Sequence, residues 1–323
     1  MLLKNTQQKL NMGGNLMLNT ITNLLRIKHY IKNIVIFLPL ILTSNFTDTN
    51  SVKFTLIAFI AFSIIASAIY IFNDIADIDF DRTHLKNKKR PIASGKISKN
   101  FAGILFCLLL IFGFSISLCA NYLIFISLLF YVLLNIFYTY KLKFLPYVDV
   151  FCIALGFVLR VLTGYIAIAE KPIALIILLV FFTSMFFTSL KRKLEYAITK
   201  DTGCLRKTIC DSNNDVLNQI ITINALLSIM FYFLYSLNEI TIHSIGTMFC
   251  FTGIPFVFII FQLISLSYSS RSTTDPANFI YDDKTTKILI LIYFVTLVFC
   301  LSIKFFNCDF CPIGQSLNIV RFW

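Results

Sequence analysis

Long stretches without a single Asp, Glu, Lys or Arg dominate this chain: 33–47, 54–73, 100–140, 172–190, 216–238, 240–270 and 288–303, with 150–169 interrupted only by Arg160. A helix needs roughly 20 mostly apolar residues to cross a bilayer. Lipid also offers no partner to unpaired backbone groups, so runs of this length commit the chain to membrane helices. Composition agrees, since 58% of the 323 residues are hydrophobic, only 14% are charged, and the mean hydropathy of +0.81 lies far outside the range of soluble domains. The stretch 100–140 is about twice one span and has a polar break at Ala120-Asn121, so it reads as two helices joined by a tight turn. The expectation is an all-α, polytopic membrane protein with nine transmembrane helices. Its membrane domain covers 22–305, between a polar tail at 1–21 and an external tail at 306–323. The first run is short, and IKHYIKN upstream extends it as an interfacial turn whose basic side chains snorkel. No cleavable signal peptide is expected, because about thirty polar residues precede the first apolar run and no small-residue cleavage site follows it.

Lys and Arg collect in alternate loops, as the positive-inside rule requires. Twenty-three of the 28 fall in the N-terminal tail and the loops after the second, fourth, sixth and eighth helices; Lys53, Lys171, Lys304 and Arg321 fall on the other side. This places the N-terminus in the cytoplasm and the C-terminus outside. The net charge of +12 needs no ligand to explain it, and no soluble basic domain is present to hold nucleic acid. Cys107, Cys119, Cys152, Cys250 and Cys300 lie in apolar runs and read as packing residues, while Cys308 and Cys311 form an external CxxC that suits a local disulfide or free thiols.

Against this background NDIADIDFDRTHLKNKKRPIASG, residues 73–95, stands apart. On a helix continuing through residue 81, Asn73/Asp74, Asp77 and Asp81 recur on one face while Asp79 points away. Stacked carboxylates repel one another and call for positive charge. Hard oxygen ligands suit Mg²⁺, which keeps waters and bridges to phosphate oxygens. Lys89 and Arg90 in KNKKRP would contact the same phosphates, Arg90 bidentately. Acids for a metal and bases for phosphate describe a diphosphate site. The plainer reading, salt bridges across a solvated loop, is weakened by the position of four such groups at the mouth of a membrane helix.

NDIADIDFD and the following RPIASG resemble the NDxxDxxxD motif and its continuation in the UbiA superfamily of intramembrane prenyltransferases. That likeness implies nine helices and an isoprenoid substrate whose diphosphate is bound through Mg²⁺, with Asn73, Asp74, Asp77 and Asp81 as ligands. Further motifs are similar to one branch, the decaprenyl-phosphate phosphoribosyltransferases. RIKHYIKNIVIFLPLIL places Lys32 and Asn33 on that branch's Lys-Asn pair, with Ile27 and Tyr30 replacing its proline and tryptophan. YTYKLKFLPYVDVFCIALGFVLRVLTG places Tyr138, Lys143, Asp149 and Arg160; LKRKLEYA places Lys191, Arg192 and Glu195; and DPANFIYDDK matches a late motif.

The resemblance implies transfer of 5-phosphoribosyl from phosphoribosyl diphosphate (PRPP) to a long-chain polyprenyl phosphate, on the cytoplasmic side of a bacterial inner membrane, by an enzyme whose oligomeric state the sequence leaves open. Asp74, Asp77, Asp81, Lys143 and Arg160 would be catalytic, and Lys32, Asn33, Lys89, Arg90, Tyr138, Asp149, Lys191, Arg192 and Glu195 would bind substrate. Two features depart from the branch. Gln262 stands where an arginine is expected, and Asp211 and Asp215 in DSNND have the spacing of a second acidic motif found in ordinary aromatic prenyltransferases, which supports prenyl transfer to an aromatic acceptor as the alternative. DSNND otherwise reads as a helix start with N-capping residues.

Asp149 and Arg160 are eleven residues apart and share a helix face, about 16 Å apart along the axis. An arginine at that depth faces a polar cavity or pairs structurally with a buried acid. Lys143, Lys191 and Arg192 sit at helix ends, where interfacial anchoring is the plainer reading. His84 reads as solvated, and His29 and His243 carry no signal. A non-catalytic transporter fits least, because the charges gather at helix ends and not at the midplane.

Overall fold

The computed structural model describes residues 19–83, 87–202, 214–268, 276 and 282–310. Every regular element among them is helical. A short helix over 19–25 leads into a 3-10 segment, Ile27–Phe37, and α1 (Leu38–Leu42). There follow α2 (Thr49–Ala76), α3 (Ile78–Thr83), α4 (Lys99–Ala120), α5 (Tyr122–Tyr140), α6 (Val148–Ala167), α7 (Ala174–Thr202), α8 (Asn214–Ser236), α9 (Glu239–Ile245), α10 (Gly253–Tyr268) and α11 (Lys284–Phe310). Short polar side chains start several of them: Asp48 accepts from the Ser51 amide at 2.8 Å, Ser98 from Phe101, and Asn121 from Leu123 at 2.8 Å. Side-chain and backbone hydrogen bonds from Ser51 hold the exposed Asp48 carboxyl below its ordinary pKa. The Ala120-Asn121 break falls where the sequence places it, between α4 and α5.

Among the described residues eight helices are long and apolar enough to cross a membrane, α2, α4, α5, α6, α7, α8, a segment ending in α10, and α11. The chain is an all-helical, polytopic membrane protein. The expected first span, 33–47, is not one α-helix: it is divided among the 3-10 segment, α1 and a 3-10 turn, Asn45–Thr47. A 3-10 run of 11 residues is unusual, and its contacts with α2 give a reason for it. Tyr30, Asn33 and Ile36 are three residues apart and align on one face of a three-residue turn. Tyr30 hydrogen-bonds Ser67 at 2.8 Å, Asn33 donates to Ser63 at 2.9 Å, and Ile36 is fully buried. Three 3-10 residues rise about 6 Å, as do four α-helical ones. The tighter helix therefore matches the Ser63–Ser67 step on α2, which an α-helix would miss.

The chain packs as two compact units. The first contains described residues 19–41 and 45–173. In it α2 and α6 are the interior helices, with 61% and 56% of their spanning windows buried against 17% for α4. Its core joins Ile36, Ala61, Phe62, Ile65 and Ile69 to Ile124, Leu128 and Tyr131. Gly113 lets α4 close on α2, since a Cβ there would stand 2.7 Å from Ile65 Cγ1. Gly164 lets α6 touch the 3-10 segment, where a Cβ would meet the Ile36 carbonyl oxygen at 2.2 Å. The second unit contains residues 42–44, 174–202 and the described residues from 214 onward. There Phe186, Leu190 and Leu194 of α7 pack on Leu217, Ile221 and Ala225 of α8, together with Ile260, Leu263 and Leu266 of α10.

Candidate active site

The acidic stretch sits at the end of α2. The helix breaks at Asp77 (φ −98°, ψ 12°), yet the four-residue hydrogen-bond step continues through the break, Asp77 N to Asn73 O at 2.9 Å and Asp81 N to Asp77 O at 2.8 Å. The expected shared face therefore survives in register. Asp79 does point away, with its side chain 95% exposed.

Asp74 and Asp81 are buried, and one nitrogen links them: Arg90 Nη1 lies 3.1 Å from Asp74 Oδ1 and 2.6 Å from Asp81 Oδ2. Asn87 donates to the other Asp81 oxygen at 2.9 Å. Arg26 Nη2 reaches Asp74 Oδ1 at 2.5 Å while its guanidinium lies 4.9 Å from the Tyr70 ring centre. Asp77 is paired separately, with Lys143, and Asn73 accepts from Thr139. Every carboxylate of the trio is thus neutralised by a cation from another segment, the compensation that buried like charges require.

Among the described residues no group of three His, Cys, Asp or Glu side chains converges to hold a metal. The donor chemistry nonetheless suits Mg²⁺. Two buried carboxylates already share one cationic nitrogen, and Mg²⁺ commonly takes only one or two protein carboxylates, leaving its other positions to water and phosphate.

Beside the acids the first unit contains a cavity of about 200 Å³. Lys32, Asn73, Asn135 and Arg160 line it together with aromatic and apolar groups, among them Tyr70 and Phe157. Arg160 is 5% exposed. Its Nε donates to Asn33 Oδ1 at 2.8 Å, Nη1 to the Gly156 carbonyl at 2.7 Å, and Nη2 to the Tyr131 hydroxyl at 3.3 Å. The rings of Phe62, Tyr131 and Phe157 surround it at 4.8, 5.1 and 5.2 Å. No acid pairs with Arg160 among the described residues; it lines a cavity whose other walls are largely aromatic and apolar. Asp149 is buried in the first turn of α6 and caps the Val150 amide at 2.8 Å.

The remaining sequence candidates are dispersed. Lys89 is exposed at the end of a 3-10 turn, outside the acid cluster. Lys191, Arg192 and Glu195 belong to α7 in the second unit, where Arg192 pairs with Glu195 at 2.6 Å. Gln262 donates to Asp283 at 3.2 Å, so the position where an arginine was expected is used within the second unit. Asp215 lies exposed in the first turn of α8, whereas Asp211, His84 and the Cys311 end of the CxxC lie outside the described residues. The sequence reading passed over four participants: Arg26, Asn87, Thr139 and Tyr131. Arg26 opens the RIKHYIKN motif, which was the one available signal for it. Another cation, Lys193, is buried in the second unit with its Nζ 3.0 Å from the Tyr268 ring centre and 3.4 Å from Ser267 Oγ.

The helical membrane bundle, with a cation-compensated acid cluster at a helix mouth and a cavity next to it, together with the family match that follows, gives the class: a membrane transferase. Residues 34–199 match the model of the UbiA prenyltransferase family, and the chain belongs to that family. Among curated proteins it is 28% identical over 252 residues to the decaprenyl-phosphate phosphoribosyltransferase of Mycolicibacterium smegmatis, covering 75% of this chain and 78% of that one. It is 36% identical over 177 residues to the uncharacterized protein y4nM of Sinorhizobium fredii, but the match spans only 33% of that protein's length. Among solved structures the UbiA homologue from Archaeoglobus fulgidus bound to GPP and Mg²⁺ superimposes with a TM-score of 0.66 at 18% identity, covering 88% of this chain and 99% of that one. That likeness is one of fold.

Proposed function

We propose that this protein transfers the 5-phosphoribosyl group of PRPP to a long-chain polyprenyl phosphate and releases diphosphate. The observation that carries the reading is the set of cationic and amide side chains, Lys32, Asn73, Asn135 and Arg160, gathered in one cavity whose other walls are aromatic and apolar: these groups suit the phosphate and hydroxyls of a sugar phosphate. The mycobacterial relative's phosphoribosyltransferase activity supports it.

Asp74 and Asp81, with Asp77 and Asn73 beside them, would hold Mg²⁺, whose contribution is to neutralise charge on the leaving diphosphate. Arg26, Arg90 and Lys143 bind the acids in the structure and lie within reach to take phosphate oxygens when the diphosphate arrives. A lipid-phosphate oxygen attacks the anomeric carbon, forming one C–O bond as the bond to diphosphate breaks. The lipid phosphate is ionised at neutral pH, so no strong general base is needed, and positioning and electrostatics supply the acceleration. Lys191 and Arg192 are assigned to the lipid phosphate on the strength of the motif alone.

We assign the reaction to a bacterial inner membrane on the family resemblance, and the nine crossings, cytoplasmic N-terminus and cytoplasmic site on the basic residues that gather in alternate loops. Purified protein supplied with Mg²⁺, a polyprenyl phosphate and radiolabelled PRPP should put label into extractable lipid, and Asp74→Ala or EDTA should abolish it. Folded protein that leaves the lipid unlabelled, yet moves a prenyl group from its diphosphate to an aromatic acceptor, would replace this reading with the alternative that Asp211 and Asp215 suggest.

A further inference from the structure

Arg160 carries more hydrogen-bonding capacity than its surroundings use. A guanidinium has five N–H donors; Asn33, the Gly156 carbonyl and Tyr131 take three, which leaves one on each terminal nitrogen. The group lies about 18 Å along α6 from its first residue, at a depth where an uncompensated charge is costly, and no carboxylate balances it among the described residues. Three aromatic rings fix its plane.

Gly156 lies beside one of these two nitrogens. A glycine inside a helix weakens it, and at Gly164 close backbone contact explains the choice. At Gly156 no such contact exists. A Cβ there would stand 3.5 Å from Arg160 Nη1 and 3.7 Å from Tyr131 Cε2, ordinary van der Waals distances. An alanine would fit, and its methyl would occupy the space directly beside the guanidinium.

We propose that this cavity is the subsite for the ribose 5-phosphate half of the donor, with Arg160 gripping the phosphate monoester at the far end and the sugar hydroxyls lying along the walls. The assignment rests on the phosphoribosyl reading above. The cavity lining spans two turns of α5, roughly 10 Å, from Tyr131, which bonds Arg160, to Tyr138, whose neighbour Thr139 bonds Asn73 beside Asp74. A donor whose monoester meets Arg160 therefore presents its diphosphate to the acid cluster. The walls offer matching groups. Asn135 gives its amide N–H to the Tyr131 carbonyl at 2.8 Å, so its side-chain oxygen is available to a hydroxyl. Asn73 uses its oxygen on Thr139, so its N–H groups are available too. Lys32 adds a second cation. A prenyl chain in the same space would strand these buried donors without partners, and a site built around such donors rejects ligands that lack the matching group. On this account Arg160 and Gly156 determine specificity for the phosphosugar.

The test uses full-length protein in detergent with two probes, ribose 5-phosphate and Mg²⁺ plus inorganic diphosphate, each read as a dissociation constant and as a shift of the unfolding temperature. Gly156→Ala should keep the wild-type unfolding temperature and diphosphate affinity while losing roughly 10- to 100-fold in ribose 5-phosphate affinity, the scale of a charge-assisted hydrogen bond. Arg160→Lys should show the same selective loss. Ribose 5-phosphate bound equally by wild type and both variants overturns the subsite while leaving phosphoribosyl transfer standing if PRPP still labels lipid. A short-chain polyprenyl phosphate whose binding alone falls in Gly156→Ala also overturns it, assigning the cavity to the lipid headgroup. Wild-type protein that binds geranyl diphosphate with Mg²⁺ but neither PRPP nor ribose 5-phosphate removes the reading of function and this inference together.

Discussion

Arg90 holds two buried carboxylates with one nitrogen, in a place where a divalent cation would compete for those carboxylates and a diphosphate for Arg90 itself. Removing it leaves Asp74 with Arg26 alone and Asp81 with only the Asn87 amide. Arg90→Met should therefore lower stability by about 2 kcal/mol, less than a fully buried pair would lose because Arg90 is 29% exposed. The same variant should bind Mg²⁺ alone more tightly than wild type, since the competing cation is gone, and should recover stability as Mg²⁺ is added. Thermal unfolding across a Mg²⁺ titration reads both effects, and a variant with unchanged stability and no gain in Mg²⁺ response would show that Arg90 does not guard a metal position. The acids of this cluster were legible because helical spacing is local. Arg26 meets Asp74 across 48 positions and Thr139 meets Asn73 across 66, distances at which hydropathy and spacing carry no information.

Among the elements, the 3-10 segment shows where apolar patterning stops being informative. Hydropathy reports that 33–47 is apolar, but not whether its backbone turns every three or every 3.6 residues; the partner helix decides that, through Ser63 and Ser67. The Ala120-Asn121 turn was readable for the opposite reason, because an asparagine N-cap acts within its own turn. Gly164 belongs to the first kind. A Cβ 2.2 Å from a backbone carbonyl has nothing flexible to push aside, so Gly164→Ala should force α6 from the 3-10 segment at a cost of about 1–3 kcal/mol. Because Asn33 travels with that segment, Arg160 would lose the anchor of its Nε as well. Gly156→Ala, about two turns earlier on the same helix, serves as the comparison: equal unfolding temperatures for the two variants would contradict the close contact at Gly164.

At the scale of the whole molecule the open question is one of parity. Eight spans return the two ends of the described chain to the same side of the membrane, and nine put them on opposite sides. The segment 27–42 is too short by residue count to be scored as a span if all of it were α-helical. A 3-10 residue, however, rises about 2.0 Å, so Ile27–Phe37 extends about 22 Å and α1 adds about 7 Å, together close to the hydrocarbon thickness of about 30 Å. Basic residues argue the same way, since Lys4, Lys9 and Arg26 precede this segment and Lys28 and Lys32 lie in its first turns, while Lys53 alone follows it before α2 is well under way. Topology reporters joined ahead of residue 19 and after residue 303 should accordingly score on opposite sides, the first cytoplasmic. Both reporters on one side would reduce the count to eight and make the first segment a helix lying within the bundle or along its surface. The arginine-lined cavity would survive that outcome, because every residue that lines it belongs to a single compact unit.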